Sequence, residues 1–369
     1  MKVIHILNEL KYSGAEIMYV AAADIFKDNS CELSVVGTAD NLGEFSIQFE
    51  EAGYDVYHMP LPKKLYFFKR LLYCISFIRF LKKNKFDVLH CHSNKAYWIM
   101  ALCAKIANIK SVYTFHSVFP KTSYSRIYHI VLRKIAKNIF KCKFQSISDS
   151  VQDNEKVNFK NHTFKINNWY NSNNFFQANL IEKMKIRRKL GISEDKFVII
   201  SIGGCSDIKR HSEIILALSK IVETVPNVLY LHLGHGDATH SEINLAKELN
   251  VSQHIRFEGN CDNVREYLIV SDIYLMTSKH EGISITTIEA MACGIPTILY
   301  DVPGLRDFNK FDNNSILIPA DYNILANEIV NLSRTPTLGL NVSNNAINFV
   351  NANYSMKLNV QKIIELYRN

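Results

Sequence analysis

Residues 280–296 read HEGISITTIEAMACGIP. Ser284 can open a helix that runs to about Cys293. Gly294 suits the left-handed position past a helix end, and Pro296 prevents continuation. The apolar run Ile273–Ser278 before this helix reads as a strand, and so does Pro296–Asp301 after it. A strand, a helix and a second strand in so short a span is the parallel βαβ unit, which decides the fold class.

The same rhythm extends outward in both directions. Residues 2–7, 31–37, 54–59, 86–92, 110–116, 143–148 and 163–168 read as strands, with helix-like spacing over 14–28, 64–84, 95–107 and 123–140. It then begins again. Strands are expected at 197–203, 228–234, 255–259, 273–278, 296–301 and 315–319, with helices at 210–224, 240–250, 262–270, 284–293 and 321–333. The Asn-rich stretch from Asn167 to Asn179 interrupts this order. The expected organisation is an α/β chain of two tandem Rossmann-like parallel-sheet domains, 1–168 and 169–350, facing a cleft. An amphipathic helix over 351–369 closes the chain. Ligands of such folds bind outside the carboxyl ends of the strands.

A chain of 369 residues is too long for one ordinary core and suits two domains. Its 47% hydrophobic and 21% charged residues are those of a globular protein. Apolar runs are too short to span a bilayer, and the first is a strand, so a cytoplasmic location is expected. Eight scattered cysteines without a C-x-x-C pair suit reduced buried thiols, neither a disulfide framework nor a zinc site. His90 and His92 share one face of a strand, but no third ligand of suitable spacing follows, so no metal is expected.

The net charge of +8 is unevenly placed: residues 56–148 hold 18 Lys and Arg against one acid, Asp87. The helices around Leu65–Lys85 and Ser123–Lys143 interleave these charges with aromatic and aliphatic side chains. Such helices suit an anionic membrane surface, although a solvated face over a packed stripe remains open. No nucleic-acid-binding module accompanies the charge, and none is expected as a partner.

Four strand-end features carry chemistry. Glu281 lies just before the helix at 284 and Glu289 within it, flanking an N-terminus that can seat a phosphate; compensation of the helix dipole is the plainer alternative. Gly282, Ile283 and Ser284 complete that loop. Upstream, Gly203 and Gly204 follow a strand and precede Lys209 and Arg210, so backbone and charge can approach an anion together. Gly234 and Gly236 form a second such turn, and Gly259 belongs to a third. One glycine turn is ordinary geometry; three in this order upstream of paired glutamates are not.

The E-x7-E pair with the following Ala-Met-Ala-Cys-Gly-x-Pro resembles the signature of retaining glycosyltransferases of family 4, which have the GT-B fold. Ser13-Gly14-Ala15-Glu16, Asp87–His92, Thr114-Phe115-His116 and the final Leu366-Tyr367 are similar to further family motifs. The resemblance implies that Glu281 faces the sugar hydroxyls of a nucleotide-sugar donor and Glu289 its ribose. It places Lys209 and Gly203–Gly204 at the diphosphate, Gly14 near it, and His116 near the transferred sugar. It also implies metal-free retention of configuration, with the departing phosphate taking the acceptor proton. Two departures stand out. Gly204 replaces a family arginine and Arg210 a glycine, and Asn167-Asn168-Trp169-Tyr170 lacks the glycine of the usual junction.

The expected function is transfer of a hexose-type sugar, a UDP-sugar in mild preference, to a glycan or lipid-linked acceptor in surface polysaccharide synthesis. A nucleotide-sugar epimerase of the same fold would give product from the donor alone. A non-catalytic sugar-nucleotide binder is the other rival, favoured by the missing arginine and opposed by Glu281, Glu289 and Lys209.

Overall fold

The computed structural model describes residues 1–63, 65–118, 123–310 and 312–369. The chain divides into two compact units. One is Met1–Asn171 with Met356–Asn369, and the other is Ser172–Ser355.

The first unit runs β1 (Lys2–Leu7), α1 (Gly14–Ala21), α2 (Ala23–Asp28), β2 (Glu32–Gly37), α3 (Ser46–Glu51), β3 (Asp55–His58) and α4 (Phe67–Lys83). It continues with β4 (Val88–Cys91), α5 (Tyr97–Ala107), β5 (Lys110–Phe115), α6 (Ser123–Asn138), β6 (Lys143–Ser146), α7 (Asp149–Phe159) and β7 (Phe164–Lys165). The second holds α8 (Leu180–Lys189), β8 (Phe197–Ile202), α9 (His211–Thr224), β9 (Val228–Leu233), α10 (Thr239–Glu248), β10 (Ile255–Gly259) and α11 (Val264–Val270). After these come β11 (Ile273–Met276), α12 (Ile285–Ala292), β12 (Thr297–Tyr300), β13 (Ile316–Ile318), α13 (Tyr322–Arg334) and α14 (Pro336–Asn353). The last helix, α15 (Met356–Arg368), belongs to the first unit.

Both sheets are parallel among the described residues, in the orders β3-β2-β1-β4-β5-β6-β7 and β10-β9-β8-β11-β12-β13. Helices cover both faces of such sheets, so the inner strands are continuously apolar. Val3, Ile4, Ile6 and Leu89 in one unit and Val198, Ile199, Ile200, Leu231 and Leu275 in the other are buried. Each order reverses beside its first strand, between β1 and β4 and between β8 and β11. A crevice opens at the carboxyl end of such a reversal. The two tandem parallel-sheet units expected from the strand and helix rhythm are present.

Several local readings change. The helix expected over 14–28 is broken at Ala22, where ψ of 0° ends α1 and α2 restarts. Residue 64, the expected start of the next helix, lies outside the described residues. The strand expected over 163–168 pairs only at Phe164–Lys165, because Trp169 beyond it is buried and donates its indole N–H to the Met18 carbonyl at 2.9 Å. Four helices have no counterpart in the periodicity reading: α3, α7, α8 and α14. Helix α14 is rich in Asn and carries Gly339, poor helix formers. It is held by packing: Val342, Ala346 and Val350, four residues apart, are buried. A Cβ at Gly339 would stand 3.1 Å from Pro296, so only a small residue fits there.

Candidate functional site

The loops leaving β8 and β11 meet at the reversal of the second sheet. Lys209, at the end of the first loop, places Nζ 2.7 Å from Glu281 Oε1. Ser278 donates its hydroxyl to the same oxygen at 2.6 Å, and the Glu281 amide donates to the Pro303 carbonyl at 2.9 Å. The carboxylate is thus fixed from two sides. Lys209 and Glu281 are partly exposed, with side-chain exposures of 24% and 15%, so the pair is open to a ligand.

Helix α12 starts one loop later. Its N-cap Ser284 accepts from the Thr287 amide at 3.2 Å. The amides of Ile285 and Thr286 have no hydrogen-bond partner among the described residues. Two free donors and the positive end of the helix dipole suit an anion. Gly282 and Ile283 are buried in the turn between Glu281 and this cap. Glu289 lies further along α12 and is buried, and its carboxyl has no hydrogen-bond partner among the described residues. Burial alone pushes its carboxyl up to about 8.

The glycines divide by what approaches them. The Lys209 side chain passes over Gly203, where a Cβ would stand 3.2 Å from Cε. At Gly234, φ is +131° and a Cβ would lie 2.1 Å from the Gly203 carbonyl oxygen; at Gly236 it would lie 2.3 Å from that of Cys205. The loops after β8 and β9 thus touch backbone to backbone. Chain packing explains these two glycines without a ligand. The Gly259 carbonyl accepts from the Gly234 amide at 2.7 Å, linking the third turn to the second. Gly204 has no such contact closer than 3.3 Å, to the His235 carbonyl.

Arg210 adopts φ of +52° as the N-cap of α9. That left-handed conformation costs a residue other than glycine about 1–2 kcal/mol. Its Nε donates to the Thr277 carbonyl at 3.2 Å and its guanidinium lies over the Tyr300 ring. Tyr300, Ser278 and Thr277 carry no motif of their own in the sequence. Gly304 was equally silent. Its φ is +85°, and a Cβ there would lie 2.4 Å from the Glu281 carbonyl oxygen.

In the first unit Gly14 opens α1 just after the β1 loop, exposed, with the Ser13 hydroxyl donating to Glu16. His116 follows the end of β5. Its Nε2 lies 3.0 Å from His92 Nδ1, and His92 Nε2 lies 3.1 Å from His5 Nδ1. The third imidazole that sequence spacing did not supply beside His90 and His92 is His5. The β1–β4 register sets it directly opposite His90. Burial holds His5 down to about 3 and His116 to about 4, and both His90 and His92 well below the usual imidazole range. His90 is enclosed by the Tyr367 hydroxyl at 2.5 Å and the Thr114 hydroxyl at 2.6 Å. The row is neutral and hydrogen-bonded.

A cavity of about 780 Å³ opens at the opposite, amino-terminal edge of the second sheet, lined by Lys183, Arg187, Phe197, Asp272 and Pro296 among others. None of the candidate site residues lines it.

Comparison with known proteins gives the family of the chain. Residues 182–349 match the family described as glycosyl transferases group 1, and residues 12–145 match glycosyltransferase family 4. The chain belongs to the group 1 glycosyltransferases. Among curated members, EpsD of Bacillus subtilis, a putative glycosyltransferase, is 28% identical over 169 residues. That match covers 46% of this chain and 44% of EpsD, less than half of either. The UDP-Gal:alpha-D-GlcNAc-diphosphoundecaprenol alpha-1,3-galactosyltransferase of Escherichia coli is 24% identical over 304 residues, 79% of this chain and 78% of its own. Among solved structures, Anabaena HepE, crystallised with UDP and glucose, superposes with a TM-score of 0.85 over all of both chains at 19% identity. At that identity the likeness establishes the fold.

Proposed function

We propose that this glycosyltransferase moves a hexose-type sugar from a nucleoside-diphosphate donor to a glycan or lipid-linked acceptor, with retention of configuration, in surface polysaccharide assembly. The observation that carries the proposal is the Lys209–Glu281 pair beside the unpaired amides of α12, at the reversal of the second sheet. In this reading Lys209, Gly203, Gly204 and the α12 amides hold the diphosphate, Arg210 adds charge, and Glu281 orients the sugar hydroxyls. Glu289 takes the ribose. Positive groups preorganised at the departing diphosphate stabilise charge developing there, so no divalent cation is needed for transfer. Gly14 and His116, at the carboxyl edge of their own sheet, take the roles that the family resemblance implies.

UDP is preferred as the donor nucleotide because HepE was crystallised with UDP and glucose. A lipid-linked acceptor is favoured by the named substrate of the E. coli relative. The basic first unit adds support. On α4 the side chains of Phe68, Leu71, Leu72 and Ile75 are exposed, and on α6 those of Ile127 and Val131. Arg133 of α6 is withdrawn from this face into a buried pair with Glu155 at 2.7 Å. Among the described residues no helix is long and apolar enough to cross a membrane, and a peripheral contact at the cytoplasmic leaflet suits this surface.

Calorimetry with UDP, GDP and ADP, followed by product analysis with and without a polyprenyl-diphosphate glycan, tests the reading. Binding of UDP and acceptor-dependent transfer are expected. Failure to bind any of the three nucleotides would refute it, and product formed from donor alone would favour an epimerase. Sedimentation with anionic vesicles that fades as salt rises is expected; indifference to lipid would remove the membrane contact.

A further inference from the structure

Behind the glycine turns of the second unit, four side chains of metal-ligand type converge. They come from the loop after β8 (Cys205), the first turn of α9 (His211), the end of β9 (His232) and α10 (Glu242). Cys205 Sγ lies 3.0 Å from His232 Nε2, His211 Nδ1 lies 3.7 Å from Glu242 Oε1, and His232 Nε2 lies 3.9 Å from Glu242 Oε2. One ligand atom from each residue falls within 4.8 Å of all the others, and all four residues are buried. Tetrahedral zinc with bonds near 2.1 Å to N or O and 2.3 Å to S holds its ligand atoms about 3.3–3.6 Å apart. The three separations given above bracket that range, and no pair of ligand atoms exceeds 4.8 Å.

Hydrogen bonding does not account for the cluster. Both ring nitrogens of His211 and Oε2 of Glu242 have no partner, although buried polar atoms are almost always paired. The contact of Cys205 Sγ with the Gly234 carbonyl is weak, at 3.7 Å. His232 Nδ1 faces the hydroxyls of Ser201 and Tyr230, each at 3.2 Å. Those oxygens can accept the Nδ1 proton and leave the Nε2 lone pair facing the cluster, the outer support that metal-bound imidazoles use.

We propose that Cys205, His211, His232 and Glu242 bind one zinc ion that fastens the loop carrying Gly203, Gly204 and Lys209 to β9 and α10. The thiol surrenders its proton to solvent as the ion binds. Thiolate and carboxylate then supply two negative charges and the imidazoles none, so the buried assembly is neutral. Mixed sulfur, nitrogen and oxygen donors in fourfold array select zinc over calcium or magnesium. The histidine row of the first unit lacks this character. Both nitrogens of His90 and of His92 are already engaged, and no anionic ligand joins them. The zinc assignment reverses the reading from cysteine spacing. The ligands lie six, twenty-one and ten residues apart, and only β8–β9 pairing, with Ser201 opposite His232, unites them.

The test uses the full chain, free of any affinity tag, expressed with zinc in the medium and dialysed against metal-free buffer. Elemental mass spectrometry is expected to give one zinc per chain. After removal of the metal with chelator, cobalt(II) is expected to give a thiolate-to-cobalt charge-transfer band with the visible bands of tetrahedral coordination. Cys205→Ser should lose the charge-transfer band, and Glu242→Gln should bind zinc at least about tenfold more weakly. His235→Ala and His240→Ala, neighbours outside the cluster, should leave the stoichiometry at one. The cobalt spectrum of the unaltered chain needs no variant to fold. Less than a tenth of an equivalent of zinc, or cobalt bound without the charge-transfer band, would overturn the proposal and leave a metal-free buried cluster.

Discussion

Lys209 Nζ and Glu281 Oε1 stand 2.7 Å apart although 72 positions separate them in the chain. Their loops leave β8 and β11, adjacent strands at the point where the order of the second sheet reverses. Glu281 is further held by Ser278, so the carboxylate orients the amine and is itself oriented. If the pair acts on a developing charge, Lys209→Ala and Glu281→Ala each lower kcat by about 10²–10³. The double variant should lose much less than the product of the two, because contacting residues are not additive. Steady-state kinetics of the three variants, with urea melts to confirm folding, would measure this. Full additivity would mean that the two groups act separately.

Glu289 offers a test by pH. Its carboxyl moves from 4.5 to about 8 on burial, so between those values the folded chain holds a proton that the unfolded chain has lost. Stability from this group is fully present below pH 4.5 and is lost as pH rises through 8. Glu289→Gln should therefore stabilise the free protein at pH 8, by about 1–3 kcal/mol, with the gain gone by pH 4.5. Urea midpoints at pH 4.5, 6.5 and 8 read this out, and a gain independent of pH would point to packing instead.

The histidine row has the opposite sign. His5, His90, His92 and His116 remain neutral in the fold well below the unfolded value of 6.5. Their contribution is present above pH 6.5 and is lost as pH falls toward 4 and then 3. At pH 5.5 each imidazole that stays neutral costs about 1.2 kcal/mol relative to pH 7. A steep acid loss of stability, shallower in His5→Gln, is expected from denaturant melts across pH 7 to 4.5. An unaltered slope in that variant would show that His5 does not titrate on unfolding.

Gly304 and Gly259 make a matched pair of substitutions. Both have positive φ, +85° and +68°, so alanine strains either backbone by about 1 kcal/mol. Only at Gly304 would the added Cβ strike the Glu281 backbone, whereas at Gly259 nothing lies within 4 Å. Gly304→Ala should therefore lower transferase activity by about tenfold or more beyond any loss of stability, and Gly259→Ala should lose stability alone. Equal activity losses in the two variants would detach Glu281 from the effect.

The alternation of strands and helices, the capped helix from Ser284, the strand-end position of Lys209 and Glu281 and the place of Glu289 in that helix were all legible in sequence. These features depend on near neighbours: apolar period, a capping hydroxyl, a glycine past the helix end. Helix α14 was not legible because contacts with distant residues outweigh its poor propensity. Charge was legible only in sum: eighteen basic residues mark the face, but Arg133 turns inward to Glu155.

Sequence by itself thus determined the class of fold and which residues could carry charge, because steric preference and hydrophobic period act along the chain. Only tertiary structure decided which of them meet. Strand register brought His5 beside His90 and gathered Cys205, His211, His232 and Glu242. It also separated glycines that admit backbone, at 234 and 236, from Gly203, which admits the lysine side chain. Register is fixed by burial across a whole sheet, and no local window of sequence contains that information.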